Sequence, residues 1–155
     1  MGNSIDERLK ELGVRIPAAP APVANYVGYV HHGDLVFVSG QLPFMNGSLT
    51  HTGILGEDVT VEEGAVAARI CAINVLSQLS AALKGDLDRV TRCVRLGGFV
   101  ASKADFFDHP KVVNGASDFI GEVFGIKGAH ARAAVGVAAL PMNACVEIDA
   151  IFGAR

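Results

Sequence analysis

His130-Ala-Arg-Ala-Ala-Val-Gly-Val-Ala-Ala-Leu-Pro-Met-Asn-Ala-Cys-Val-Glu-Ile-Asp-Ala-Ile-Phe152 is the stretch whose reading decides the architecture. It reads as a closing β-hairpin, with Arg132 to Leu140 as one apolar strand, Pro141 to Ala144 as the turn and Cys145 to Phe152 as the return. Proline cannot donate to a ladder, so Pro141 marks where the first strand stops. In the return, Val146, Ile148 and Phe152 alternate with Cys145, Glu147 and Asp149. Arg132 and Glu147 stand out in this apolar setting. Stripping a charge of water costs several kcal/mol, so each must be paired or bound. Residue types alone favour a structural Arg132–Glu147 ion pair, with a binding site as the alternative.

The 155 residues suit one domain with a substantial core. Half are hydrophobic and 19% are charged, below the quarter or so that is usual. Part of the surface is therefore expected to lie against a partner, most simply a second copy. Net charge is −3 without a block of like charges, which argues against a nucleic-acid footprint. Cys71, Cys93 and Cys145 are widely spaced in apolar segments and read as reduced core thiols of a cytoplasmic protein. Charges in MGNSIDERLKEL stand where a signal peptide needs an apolar run. Asp6 stands where a myristoylation signal on Gly2 needs Ser or Thr.

Working outward from the hairpin, the spacing predicts a short helix over 4–12, capped by Ser4 and stopped by Gly13, with Ile5, Leu9 and Leu12 as its apolar stripe. Residues 16–22 hold three prolines and read as an extended connector. Asn25 to His31 and Leu35 to Ser39 read as strands, Met45 to Val59 as a Gly-rich loop. Thr60 opens a long helix whose core stripe is Val66, Ile70, Ile73, Leu76, Leu79 and Leu83, too often interrupted by Arg69, Asn74 and Gln78 to span a membrane. Val90 to Ala101 reads as a strand, with Gly97-Gly98 marking a bulge or a close approach. A second helix runs from about His109, capped by Asp108, to Phe124, with Gly125 ending it. The order is β-β-α-β-α-β-β after the short helix: a two-layer α+β domain with a mixed sheet and both long helices on one face.

Several chemistries are excluded. There is no P-loop, G-x-G-x-x-G, H-E-x-x-H or C-x-x-C. His31 and His32 are neighbours on a strand, point to opposite faces and cannot share a metal. No metal and no cofactor are expected. Ser39 lies in Ser-Gly-Gln, not a nucleophile elbow. What remains is an arginine whose fork grips a carboxylate, a glutamate able to orient or deprotonate water, and Gly-containing backbone able to hold a negative oxygen.

Ser39-Gly-Gln-Leu-Pro43, Asn114, and Ala131-Arg…Leu140-Pro…Val146-Glu-Ile-Asp-Ala150 resemble the RidA/YjgF family of reactive-intermediate deaminases, over about residues 22–153. The resemblance implies a chorismate-mutase-like fold and a homotrimer with sites between subunits. It implies hydrolysis of small 2-imino and 2-enamino acids to 2-oxo acids and ammonia. Arg132 takes the place of the carboxylate-binding arginine and Glu147 that of the water-positioning glutamate. Asn114 matches a pocket asparagine, although a solvated helix residue is the plainer reading. Tyr26 is the pocket tyrosine if the first hairpin aligns without a gap and Tyr29 if it does not; either could be a half-buried strand residue. Gly40, after Ser39, offers a backbone N–H or simply ends a strand. Ala134 stands where the best-known members have cysteine, so only its backbone can contribute. The helix and connector of 1–21 and the loop at 45–59 exceed the short family pattern and resemble a longer subgroup. The same arginine also suits a non-catalytic trimer that binds a 2-oxo or amino acid. The endoribonuclease activity attached to family names finds no basic stripe, stacking run or paired histidines.

Overall fold

The computed structural model describes residues 4–21 and 24–155; Gly2, and Pro22 at the end of the connector, lie outside them. Helix α1 (Ile5–Glu11) starts at Ser4, whose side chain accepts from the Glu7 N–H. It is tied down by the Ile5 N–H on Asp88 and the Arg8 guanidinium on the Glu122 carbonyl, and it buries Leu9. Strands β1 (Tyr29–His32) and β2 (Leu35–Gln41) form the first hairpin. The expected strand from Asn25 begins only at Tyr29, because Ala24 and Asn25 form a turn with Ala24 at φ 63°.

The expected loop at 45–59 opens with a small hairpin, β3 (Phe44–Met45) and β4 (Ser48–Leu49). Asn46 and Gly47 turn it, both at positive φ, the conformation that favours Asn-Gly. The remainder folds around the fully buried Leu55.

Helix α2 (Val61–Ala82) begins at Thr60, whose hydroxyl accepts from the Glu63 N–H. Strand β5 (Val90–Ala101) and helix α3 (His109–Phe124) have the expected bounds. Asp108 takes the cap position of α3 without a capping bond and lies 3.5 Å from Lys111 instead. Strands β6 (Ala131–Val137) and β7 (Val146–Ala154) complete the chain.

The closing segment is not a hairpin. The five-stranded sheet has the order β1-β2-β7-β5-β6, so β5 lies between β6 and β7. β6 runs parallel to β5, joined to it by α3, while β7 is antiparallel to both β5 and β2. Parallel neighbours need a crossover such as α3. A turn at Pro141 and two apolar strands are compatible with this arrangement and with a hairpin alike, because local alternation does not say which strand lies alongside.

α2 and α3 pack on one face of this mixed sheet, as expected for the α+β fold. Phe119, Phe152, Leu76, Leu79, Leu96 and Ile148 are fully buried between the layers, each contributing roughly 1.5–3 kcal/mol. On α2 the expected stripe holds at Ile70, Leu76, Leu79 and Leu83, but Val66 is exposed. The small residues Ala67, Ala68, Cys71 and Ala72 are buried in its stead, because α2 is covered by both the sheet and α3. By length and composition α2 could cross a membrane, but 56% of its apolar window is buried within the domain. Gly98 is a close approach, since a Cβ there would stand 2.5 Å from Val113 of α3. The register irregularities of β5 lie earlier, near Arg92 and Arg95.

Among the described residues the other face of the sheet carries no helix. Val30, Phe37 and Ile151 form a row of paired positions across it, Val30 and Phe37 exposed and Ile151 half-buried.

Candidate functional site

The sheet order divides the residues singled out from sequence into two groups. The first surrounds Arg132 on β6. Arg132 pairs with Leu96 of the core and therefore projects on the helix side. Its Nη1 donates to Asn114 Oδ1 at 2.8 Å and to Ser117 Oγ at 3.1 Å, one turn apart on α3. Asn114 is thus no idle surface residue. Ala134 follows on the same face, half-buried against the core.

Sequence reasoning missed two members of this group. His130 Nδ1 lies 2.6 Å from the Gly128 carbonyl, and its Nε2 lies 2.9 Å from Ser117 Oγ. A carbonyl only accepts, so Nδ1 carries a proton. In the neutral imidazole Nε2 then accepts from the Ser117 hydroxyl, leaving that oxygen's lone pairs for Arg132. The signal was available: Ser117 is three residues from Asn114 on a helix, and His130 stands two residues before Arg132 where the chain enters β6, both same-face spacings.

Among the described residues Arg132 meets no carboxylate, and its Nη2 and Nε have no hydrogen bond. A half-buried cation oriented by neutral groups is open to an anion from outside.

The second group surrounds Glu147 on β7. Glu147 alternates with the buried Val146 and Ile148, so it faces the helix-free side. Burial, and then the nearby Asp149 carboxylate, push its pKa above the usual glutamate range. The β2 irregularity at Ser39-Gly40 leans on it: a Cβ at Gly40 would stand 2.6 Å from Glu147 Oε2. Ser39 donates its hydroxyl to the Val27 carbonyl at 2.6 Å, holding the segment before β1 against β2. Tyr26, 66% exposed, lies in that segment, while Tyr29 is half-buried against the core.

The expected Arg132–Glu147 contact is absent. β6 and β7 are two strands apart, and Arg132 and Glu147 oppose Leu96 and Phe99, three residues apart along β5. That separates their backbones by roughly 10 Å across and 10 Å along the sheet, with the side chains on opposite faces. No single chain closes that gap.

Tyr26, Ser39 and Gly40 also line a cleft of about 1040 Å³ that runs beneath residues 13–21 to α2. Neither Arg132, Asn114 nor Glu147 lines it. Cys71, Cys93 and Cys145 are free and buried; burial lifts the Cys93 thiol to about 12 and the Cys145 thiol to about 11, so neither is a ready nucleophile. Among the described residues no three His, Cys, Asp or Glu converge as metal ligands.

A sequence-family model described as "YjgF/chorismate_mutase-like, putative endoribonuclease" matches residues 6–152. Protein TCP17 of Trypanosoma cruzi is 54% identical over 144 residues, 92% of this chain and 89% of its own. Among solved structures, Atu1372 of Agrobacterium tumefaciens, of unknown function, is 50% identical with a TM-score of 0.92, over 97% of this chain and 92% of its own. TdcF of E. coli, solved with bound serine, is 26% identical with a TM-score of 0.63, over 88% of this chain and 93% of its own.

Proposed function

This chain belongs to the YjgF/chorismate-mutase-like family, and from that premise we propose that it hydrolyses small 2-imino and 2-enamino acids to 2-oxo acids and ammonia. The observation that carries this reading is the state of Arg132, aimed by Asn114 and Ser117 with its charge unanswered by any carboxylate among the described residues. Its free nitrogens suit a bidentate grip on a small carboxylate. The serine bound in TdcF has the α-carboxylate and α-nitrogen that such a substrate would present.

The chemistry requires little more than a positioned water. Arg132 fixes the carboxylate, and the enamine tautomerises to the imine. Water adds to the C=N carbon as Glu147 takes a proton from it, and the carbinolamine collapses when its nitrogen leaves protonated as ammonia. The raised pKa of Glu147 fits a group that accepts and returns that proton. The backbone at Gly40 and Ala134, with Tyr26, would shape the pocket, and Ser39 would hold the Tyr26 segment in place.

Since Arg132 and Glu147 lie on opposite faces, the site would be composite, with Arg132 from one copy and Glu147 from the next. The exposed row at Val30 and Phe37 supplies apolar surface for such an assembly, for which a homotrimer is the form proposed. The nuclease in the family description fits less well, because a phosphate track needs clustered cations and the chain carries 16 acidic against 13 basic residues.

The test uses 2-aminoacrylate or 2-iminobutanoate released in situ by a pyridoxal-phosphate dehydratase, with 2-oxo acid formation followed against buffer. Arg132→Ala should lose about 100-fold or more, since charge-assisted bonds contribute roughly 1.5–3 kcal/mol each. Arg132→Ala and Glu147→Gln chains, each inactive alone, should recover about one quarter of the sites when refolded together as randomly mixed trimers. A wild-type rate equal to buffer overturns the activity, and no recovery on mixing overturns the shared site.

A further inference from the structure

We infer a second binding site in the cleft beneath the N-terminal arm, taking a small molecule with an apolar body and an amide-like edge that offers a donor beside an acceptor. The cleft's volume, about 1040 Å³, is at the upper end of the few hundred to about 1000 Å³ usual for small-molecule sites. Its roof is the arm at 13–21, pinned where the Ser77 hydroxyl donates to the Pro17 carbonyl. Its apolar walls include Leu42, Phe44, Ile70 and Ile73.

The polar group at its base is Gln78 of α2. Gln78 is 4% exposed, and its carboxamide has no hydrogen bond among the described residues. It packs beneath Gly28, where a Cβ would stand 2.2 Å from Gln78 Oε1. A buried amide left unpartnered forfeits its bonds to water with nothing in return. Yet among the described residues no side-chain nitrogen or oxygen is both sealed from solvent and unpartnered. The Gln78 amide therefore opens into the cleft that it lines.

Asn74, one turn earlier, also lines the cleft and spends its Nδ2 on the Leu42 and Phe44 carbonyls, which leaves Oδ1 as an acceptor. A ligand amide can give its N–H to Gln78 Oε1 and accept from Nε2, so that both sides of the pair are satisfied. A carboxylate would satisfy only Nε2, and a hydrocarbon neither. Arg15, on the arm and lining the cleft, meets no carboxylate among the described residues and favours a negative substituent on the ligand's outer end.

The experiment is a titration of the isotope-labelled full chain with phenylacetamide, phenylacetate and ethylbenzene, read by NMR. Phenylacetamide should shift the side-chain amides of Gln78 and Asn74 and the backbone of 13–21, and bind at least tenfold tighter than ethylbenzene. Gln78→Met, of similar length and shape, should lose that preference with an unfolding temperature unchanged or raised. The cleft shares Tyr26, Ser39 and Gly40 with the proposed hydrolytic pocket, so the discriminating variant is Arg132→Ala, which should bind phenylacetamide as wild type does. Equal binding of ethylbenzene, or no shift at Gln78 with any probe, overturns the proposal. So does a marked drop in the unfolding temperature of Gln78→Met, because the amide would then be serving the fold.

Discussion

Replacing Gly40 with alanine tests whether the position of Glu147 matters, with little interference from stability. Gly40 does not require positive φ, so alanine meets no backbone penalty; glycine is there for space. The new methyl would stand 2.6 Å from Glu147 Oε2 and 2.8 Å from its Cδ, and restoring an ordinary contact moves the carboxylate by about 0.8 Å. The obstacle is the end of a flexible side chain, so the change should cost about 0.5–1.5 kcal/mol as an off-rotamer adjustment. For a chain of this size that lowers the melting temperature by a few degrees at most. A catalytic group misplaced by about 1 Å, however, costs on the order of 100-fold in rate. Gly115→Ala is the contrast. There the added Cβ would stand 1.9 Å from the backbone carbonyl of Ala65, where α2 and α3 touch. Backbone cannot swing aside, so the helices must separate, at about 3 kcal/mol or more. Imine hydrolysis and thermal unfolding of both variants decide the matter. A folded Gly40→Ala protein with the wild-type rate refutes the role given to Glu147 and its placement against Gly40.

Glu147→Gln should also change the pH dependence of stability. Because the folded-state pKa is raised by burial and by Asp149, the unfolded chain ionises first as pH rises. The folded state then binds more protons, and stability falls through the window above the ordinary glutamate value. The glutamine variant should therefore melt higher than wild type at pH 7, with the gap closing below pH about 4.5; an equal gap at both pH values contradicts this. Ser117→Ala removes the oxygen shared by Arg132 and His130. It should raise KM about tenfold with kcat little changed, since such a bond contributes roughly 1.5 kcal/mol; a loss in kcat alone would contradict a positioning role. Thr60→Ala deletes the α2 cap at a cost of about 1 kcal/mol, seen as a fall of roughly 2–4 °C in melting temperature.

The sequence by itself determined the elements and their order. Capping at Ser4 and Thr60, the stop at Gly125 and the apolar periodicity of 109–124 are local effects, and each falls where the residues predict. Small local errors had local causes. The Asn46-Gly47 hairpin leaves no periodicity to read because its strands are two residues long, and Val66 stands exposed because the alanines, not the larger side chains, let α3 approach α2. What only the tertiary structure decided is lateral: which strand lies beside which, and hence which charges can meet. Side-chain alternation puts Arg132 and Glu147 each on a face, but it carries no information about the strand that comes between them. Pairing is set by the crossover through α3 and by the need of β5 for a neighbour on each edge, interactions between residues far apart in the chain. The stretch from His130 to Phe152 was therefore legible as two strands carrying two unusual charges. That β5 separates them, leaving Arg132 with Asn114 and Ser117 and Glu147 with Gly40, was not.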